Sequence, residues 1–306
     1  MSAPTITTAT RPDPSAPGAA LTQRRSRPGD LAFRLAMQAC LVIAFAVLAS
    51  LLAWVLIKGW NRLDSRLWTE MPTGLVSRLD GAGVQSALTG TLWIVGLVAV
   101  ICLPVGVFSA IYLEEYADNT RWYNRLLELN IQNLAGVPSI IFGILGLGII
   151  ARALGLGFTV ITAAIVLSLL VLPVVIIATR EAIRAVPQSI RQASYALGAT
   201  KWQTVSRQVL PAAVPGIATG AILALSRAIG EAAPLIVLGA VTFITFNPDG
   251  LDSPYTALPI QIYTFIGRSQ AGYTELAAGA IVLLLGIVLV MNSIAIFVRN
   301  RFEKRW

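Results

Sequence analysis

Six stretches of roughly 20 or more mostly apolar residues run through this 306-residue chain, and a run of that length crosses the ~30 Å hydrocarbon core of a bilayer as a helix. They are Leu35–Ile57, Ala87–Leu113, Ile131–Leu154, Gly157–Ala178, Ala212 to about Phe246, and Leu276–Val298. None shows the alternating polar face of a surface helix. Only 12% of residues are charged, about half the level of a soluble domain, so too little polar material remains to cover a globule. The fold class that follows is an all-α integral membrane protein with six transmembrane helices.

The fifth run is too long to be one straight span at 1.5 Å per residue. Pro234 lacks the amide that would continue helical bonding. The reading predicts a helix from about Ala212 to Ala233, then a kink or a short external return. The first run exceeds the usual apolar region of a signal peptide and is followed by no A-x-A site, so it reads as a retained anchor. Cys40 and Cys102, the only cysteines, both fall in apolar runs and read as buried thiols rather than a disulfide framework.

The basic excess of +8 is distributed unevenly. Sixteen of the 23 Lys and Arg residues fall on the side of the N-tail, the second and fourth connections and the C-tail; six fall opposite, and Arg227 lies inside a span. By the positive-inside rule both termini are expected in the cytoplasm, with the chain multi-pass in the cell membrane. The charge thus needs membrane lipid and no nucleic acid to explain it. The expected organisation is a Pro/Ser/Thr-rich disordered tail over 1–34, a first helix and external connection over 35–83, a core of five helices over 84–298, and a tail over 299–306.

The fourth connection, 179–210, is far longer than neighbouring helices need. After Pro187, suited to a first helical turn, Ile190, Ala193, Ala196 and Leu197 fall on one face while Arg191, Gln192 and Lys201 lie off it. Gly198 then permits a turn. A short amphipathic helix is predicted here, either docked on a partner or resting on headgroups. Arg121-Trp122-Tyr123 opens a segment read as an interfacial helix with its aromatic residues at headgroup depth.

Arg227 and Glu231 stand four residues apart, so they share a helix face and can pair. Counted from the expected start of the fifth helix, Arg227 falls near mid-membrane or just beyond. A guanidinium there costs about 2.5–3.5 kcal/mol and normally faces a bundle interior or a watery path. A planar fork that stays ionised suits a tetrahedral oxyanion, and one arginine balanced by a carboxylate binds weakly enough to release it. A pair that merely fixes helix packing is the structural alternative. Gly136-Val137-Pro138-Ser139 offers a local break and, in Ser139, a hydroxyl donor. Small residues four apart, Gly216 with Gly220 and Ser139 with Gly143, read as close helix packing.

The absences are also informative. The chain has no histidine, no Gly-Lys dipeptide and therefore no Walker A loop, and no His-Glu-x-x-His, Cys-x-x-Cys or Gly-x-Ser-x-Gly pattern. It is expected to be no enzyme and to need no cofactor or metal. If ATP drives it, another polypeptide hydrolyses the ATP.

The loop Gln192-Ala193-Ser194 followed by Gly198, with Leu210-Pro211 beyond, resembles the Glu-Ala-Ala-x-x-x-Gly loop of ABC importer permeases. It differs by Gln192 for the glutamate, Ser194 for the second alanine and Gln208 for an apolar residue. Ala110 to Tyr116, Asn133 to Gly143 and Arg227-Ala228-Ile229-Gly230-Glu231-Ala232-Ala233-Pro234 narrow the likeness to the phosphate-importer permeases, nearer the PstA-type than the PstC-type subunit. The resemblance covers roughly residues 84–298. It implies a type I ABC importer fold and a coupling role for Gln192, Ala193, Ser194 and Gly198. It implies a substrate path with Arg227, Glu231 and Ser139. The partners would be a homologous PstC-type permease, two ATP-hydrolysing subunits and an extracytoplasmic phosphate-binding protein. A permease for sulfate or molybdate, a secondary anion transporter, and an intramembrane enzyme using Glu231 as base on lipid phosphates are the alternatives.

Overall fold

The structure, a computed structural model, describes residues 28–118, 120–240 and 243–302, and the described residues are almost wholly helical. Residues 1–27 and 303–306, where most of the two expected tails fall, lie outside them. Pro28, fit for a first helical turn, opens α1 (Pro28–Gly59) seven residues before the expected start of the first helix at Leu35. Residues up to Trp54 form one unit and Val55 onward a second. In the first unit every residue from Gly29 to Trp54 is exposed, as an apolar helix in lipid can be. Cys40 shares that exposure, so of the two thiols only Cys102 is buried.

In the second unit, α2 (Gln85–Tyr116) is followed by α3 (Trp122–Ala135) and α4 (Ser139–Ala153), bent 106° to each other. Next come α5 (Val160–Arg184), the short α6 (Gln188–Ala196) and α7 (Lys201–Gly230). Then come α8 (Ala233–Val237), α9 (Leu258–Ile266) and α10 (Ala271–Phe302). Five of these helices, α1, α2, α5, α7 and α10, are long and apolar enough to cross a membrane, and the bent pair makes six if taken as one span.

Three expected boundaries move. The apolar run Ile131–Leu154 is not one helix, because Pro138 has no amide to donate and the chain turns at Gly136–Pro138; Ile131 belongs to α3. The fifth span begins eleven residues before Ala212, at Lys201, since Thr200 and Gln203 close a capping box there. It ends at Gly230, before Ala233. The last helix likewise runs from Ala271 to Phe302, past both expected ends of its apolar run.

The main core lies between α2, α5 and α7, where Val98, Cys102, Leu167, Val171, Ala224 and Ala228 are buried together. Small residues set the spacing. A Cβ on Gly220 would collide with Ala178 of α5, and one on Gly216 would lie 2.6 Å from the Ala182 Cβ. A second cluster, with Leu67, Leu258, Phe265 and Tyr273, packs α9 beneath the short helices that follow α1. Two ties hold this end. The amide of Leu258, one of the orphan donors of a helix start, donates to the buried Thr91 hydroxyl of α2 at 2.8 Å. The loop before α9 meets the start of α5, whose Val160 and Ile161 amides donate to the Ser253 and Leu251 carbonyls at 3.1 and 3.0 Å.

Candidate functional site

Two places hold the residues singled out from the sequence, one at each end of α7. At its C-terminal end, Arg227 lies in the last turn. Glu231 caps that end in extended backbone (φ −78°, ψ 113°), and Pro234 sits in the first turn of α8 just beyond. The pair forms all the same: Arg227 Nε donates to Glu231 Oε1 at 3.3 Å. Their side chains are 44% and 18% exposed, so the carboxylate is the more enclosed partner. Ala224 and Ala228 turn into the core, whereas Leu223, one turn before Arg227, is exposed with it. The guanidinium therefore stands on a face of α7 that the described residues leave uncovered. On that same stretch, the Ser226 hydroxyl donates to Asn292 Oδ1 of α10 at 2.6 Å, fixing the helix end sideways.

Ser139 opens α4 and is half-buried. One turn on, a Cβ on Gly143 would lie 2.7 Å from the Pro234 carbonyl oxygen and 2.8 Å from its Cα, so α4 and α8 meet backbone to backbone. The fold thereby brings the start of α4 and the Glu231–Pro234 segment into one neighbourhood. No hydrogen bond joins Ser139 to either charged side chain among the described residues.

At the N-terminal end of α7 sits α6. Pro187 sets its start and Gly198, at φ +79°, its end, a conformation that costs other residues about 1–2 kcal/mol. Gln192, Ala193 and Gly198 are exposed. Ser194 is half-buried, its hydroxyl 2.8 Å from that of Thr204 on α7. Leu197 is 89% exposed. Beside it a groove of about 520 Å³ is lined by Ala193, Ser194, Leu197, Gly198 and Arg207.

Behind this surface lies a set of ion pairs that sequence reasoning missed. Arg191 does not stay on the polar face; it is buried, donating to Glu115 Oε1 through Nη2 at 2.8 Å and Nε at 3.2 Å. It also donates to the Val186 and Ile183 carbonyls at 2.7 and 3.0 Å. Ile183 lies in the last turn of α5 and Val186 two residues past its end, where free carbonyls carry partial negative charge and want a cation. Glu114 receives Arg180 Nε at 3.2 Å and Arg184 Nη2 at 2.9 Å, and Arg180 Nη2 reaches Glu128 of α3 at 2.9 Å. The Lys201 ammonium stands 4.9 Å over the Tyr116 ring. In the adjoining loop, the Thr120 hydroxyl and amide hold the Asp118 carboxyl below its usual pKa. The end of α2 is thus tied to α3, α5 and α6. The available signal was the Glu114-Glu115 doublet closing an apolar run on the same side as five Lys and Arg in the fourth connection.

Residues 102–306 match the family described as "Binding-protein-dependent transport system inner membrane component". The "Phosphate transport system permease protein PstA 1" of Mycobacterium tuberculosis (strain ATCC 25618 / H37Rv) is 36% identical over 260 residues, 84% of this chain and 83% of that protein. The "Probable ABC transporter permease protein YqgI" of Bacillus subtilis (strain 168) is 31% identical over 278 residues, 87% and 93% of the two chains. Among solved structures, the inward-facing MetNI methionine ABC transporter shares the fold at a TM-score of 0.56 and 21% identity, over 72% of this chain and 94% of that one. With a family match over two thirds of its length and full-length relatives of this likeness, the chain belongs to the binding-protein-dependent transport system inner membrane components, multi-pass permease subunits of ABC transporters, on their PstA-type branch.

Proposed function

We propose that this chain is one permease of an ATP-driven phosphate importer. It works beside a PstC-type permease, two ATP-hydrolysing subunits and an extracytoplasmic phosphate-binding protein. The relatives named as phosphate transport permeases support the substrate. The observation that carries the mechanism is Arg227, a guanidinium that the described residues leave on an uncovered face of an apolar helix and pair with one carboxylate, Glu231. In lipid that position is costly; in a path formed with a second permease it is a relay for an oxyanion. Phosphate takes the outward N–H groups of Arg227 and shares them with Glu231, whose hold weakens the complex enough for release. Ser139, on the helix packed against the same segment, supplies a hydroxyl to the path.

At the other end, Gln192, Ala193 and Gly198 meet the ATPase subunit, with Leu197 inserting as the apolar anchor. Ser194 braces α6 from within. The distribution of Lys and Arg supports a cytoplasmic position for this end and for both termini. On that arrangement the ion pairs of Glu114 and Glu115 carry movement of α6 directly into α2 and α5.

The reading is tested by phosphate uptake in cells whose own high-affinity system is deleted. The chain with its genomic partners restores uptake, and excess sulfate or molybdate does not compete. Uptake of sulfate with no effect on phosphate would overturn the assignment.

A further inference from the structure

Along the side of α5 that faces α3 and α4, two cavities lie end to end and share Ile131 as a wall. One, about 270 Å³, is lined almost wholly by apolar side chains, among them Leu134, Leu145, Ile149, Leu169 and Leu172. The other, about 240 Å³, is lined by Glu128, Gln132, Arg180, Glu181 and Arg184. From Arg180 back to Leu169 is about 16 Å along the helix axis, close to the ~15 Å depth of one hydrocarbon leaflet. Trp122, on the first turn of α3, is 75% exposed, as residues at the headgroup level are.

The charges choose among headgroups. Arg180 and Arg184 are matched by Glu128, Glu181 and, behind them, Glu114. With three carboxylates to two guanidiniums, the site as a whole repels a plain anion. Arg180 Nη1 donates no hydrogen bond among the described residues. Glu181 is 65% exposed and Glu128 36%, both open to a donor. Such a site suits a group bearing a phosphate and a primary ammonium together: the phosphate on Arg180 and Arg184, the ammonium on Glu128 and Glu181.

We propose that these cavities form one binding site for a phosphatidylethanolamine-type lipid, its acyl chain along α5 and its zwitterionic headgroup among the charges. A trimethylated headgroup fills the volume without donating, and a headgroup lacking an amine leaves the carboxylates unmatched. The assignment stands on the cavities and their charges and does not depend on what the protein transports.

The test is native mass spectrometry of the membrane complex, taken from nanodiscs of equal phosphatidylethanolamine, phosphatidylcholine and phosphatidylglycerol. The wild type retains phosphatidylethanolamine about tenfold over the other two, the worth of one charge-assisted hydrogen bond. Ile149→Trp, at an exposed wall position, fills the apolar cavity and loses the lipid; Leu169→Trp repeats the test if the first fails to assemble. Glu181→Gln keeps a lipid but narrows the preference over phosphatidylcholine. Equal retention of all three lipids, or undiminished retention in both Trp variants, overturns the proposal. So does a disulfide between Ile149→Cys and a cysteine on the partner permease, since a protein helix would then occupy the groove.

Discussion

Arg227 and Arg191 are both paired guanidiniums in a chain with little charge, yet their surroundings give them different work. Arg227 faces outward with one carboxylate at 3.3 Å, a geometry that leaves donors free. Arg191 is enclosed and spends its donors on Glu115 and two carbonyls. Removing one partner of a buried pair costs about 3–5 kcal/mol, because the other charge is left uncompensated. Arg191→Ala is therefore expected to lower the thermal stability of the detergent-purified complex, and Glu115→Ala added to it to restore part of the loss. A double-mutant cycle with no coupling between the two positions would contradict the pairing. The sequence made the Arg227–Glu231 pair legible because four-residue spacing is a local property. It hid the Arg191–Glu115 pair, whose members stand 76 residues apart, because a helical-face rule places Arg191 off the apolar stripe and names no partner for it.

At the scale of elements, apolar length located the spans but not their breaks. Ile131–Leu154 is mostly apolar, and its few polar residues near the break, Gln132, Asn133 and Ser139, do not fix where α3 ends and α4 begins. Pro138 signals a break without fixing its angle, which the contact of Gly143 with Pro234 settles in three dimensions. Helix α9 was invisible for the opposite reason: nine residues in a long connection are short of any span signal, and burial beneath Leu67 and Tyr273 holds them helical. The small-residue spacing, by contrast, was read correctly. Gly220→Leu is expected to force α7 off α5 at a cost of about 1–3 kcal/mol or more, seen as reduced membrane accumulation with normal transcript. Gly220→Ala tests the same contact more gently. Wild-type stability for both substitutions would show that the helices are not held this closely.

For the whole molecule, the proposed substrate path and the proposed ATPase contact stand at the two ends of α7, which connects them over its 30 residues. Composition and charge placement revealed the membrane class, the spans and the absence of an ATP-binding loop. They could not reveal the surface offered to other subunits, because that depends on which face of each helix the chain itself covers. Leu197 illustrates this: the sequence puts it on the apolar stripe of α6, and only the fold shows that no described residue covers it, at 89% exposure. Leu197→Asp is expected to abolish co-purification of the ATPase subunit while the permease pair still assembles. An intact complex with this variant would move the docking surface elsewhere.

The most direct test is transport in proteoliposomes holding the complete complex, with phosphate uptake and ATP hydrolysis measured together. Arg227→Gln should leave assembly and ATP hydrolysis stimulated by the binding protein intact while uptake falls by at least about tenfold, the effect of losing one charge-assisted contact along the path. Arg227→Lys should recover part of it, because the charge remains and the fork is lost. Full uptake by the Arg227→Gln complex would contradict the account.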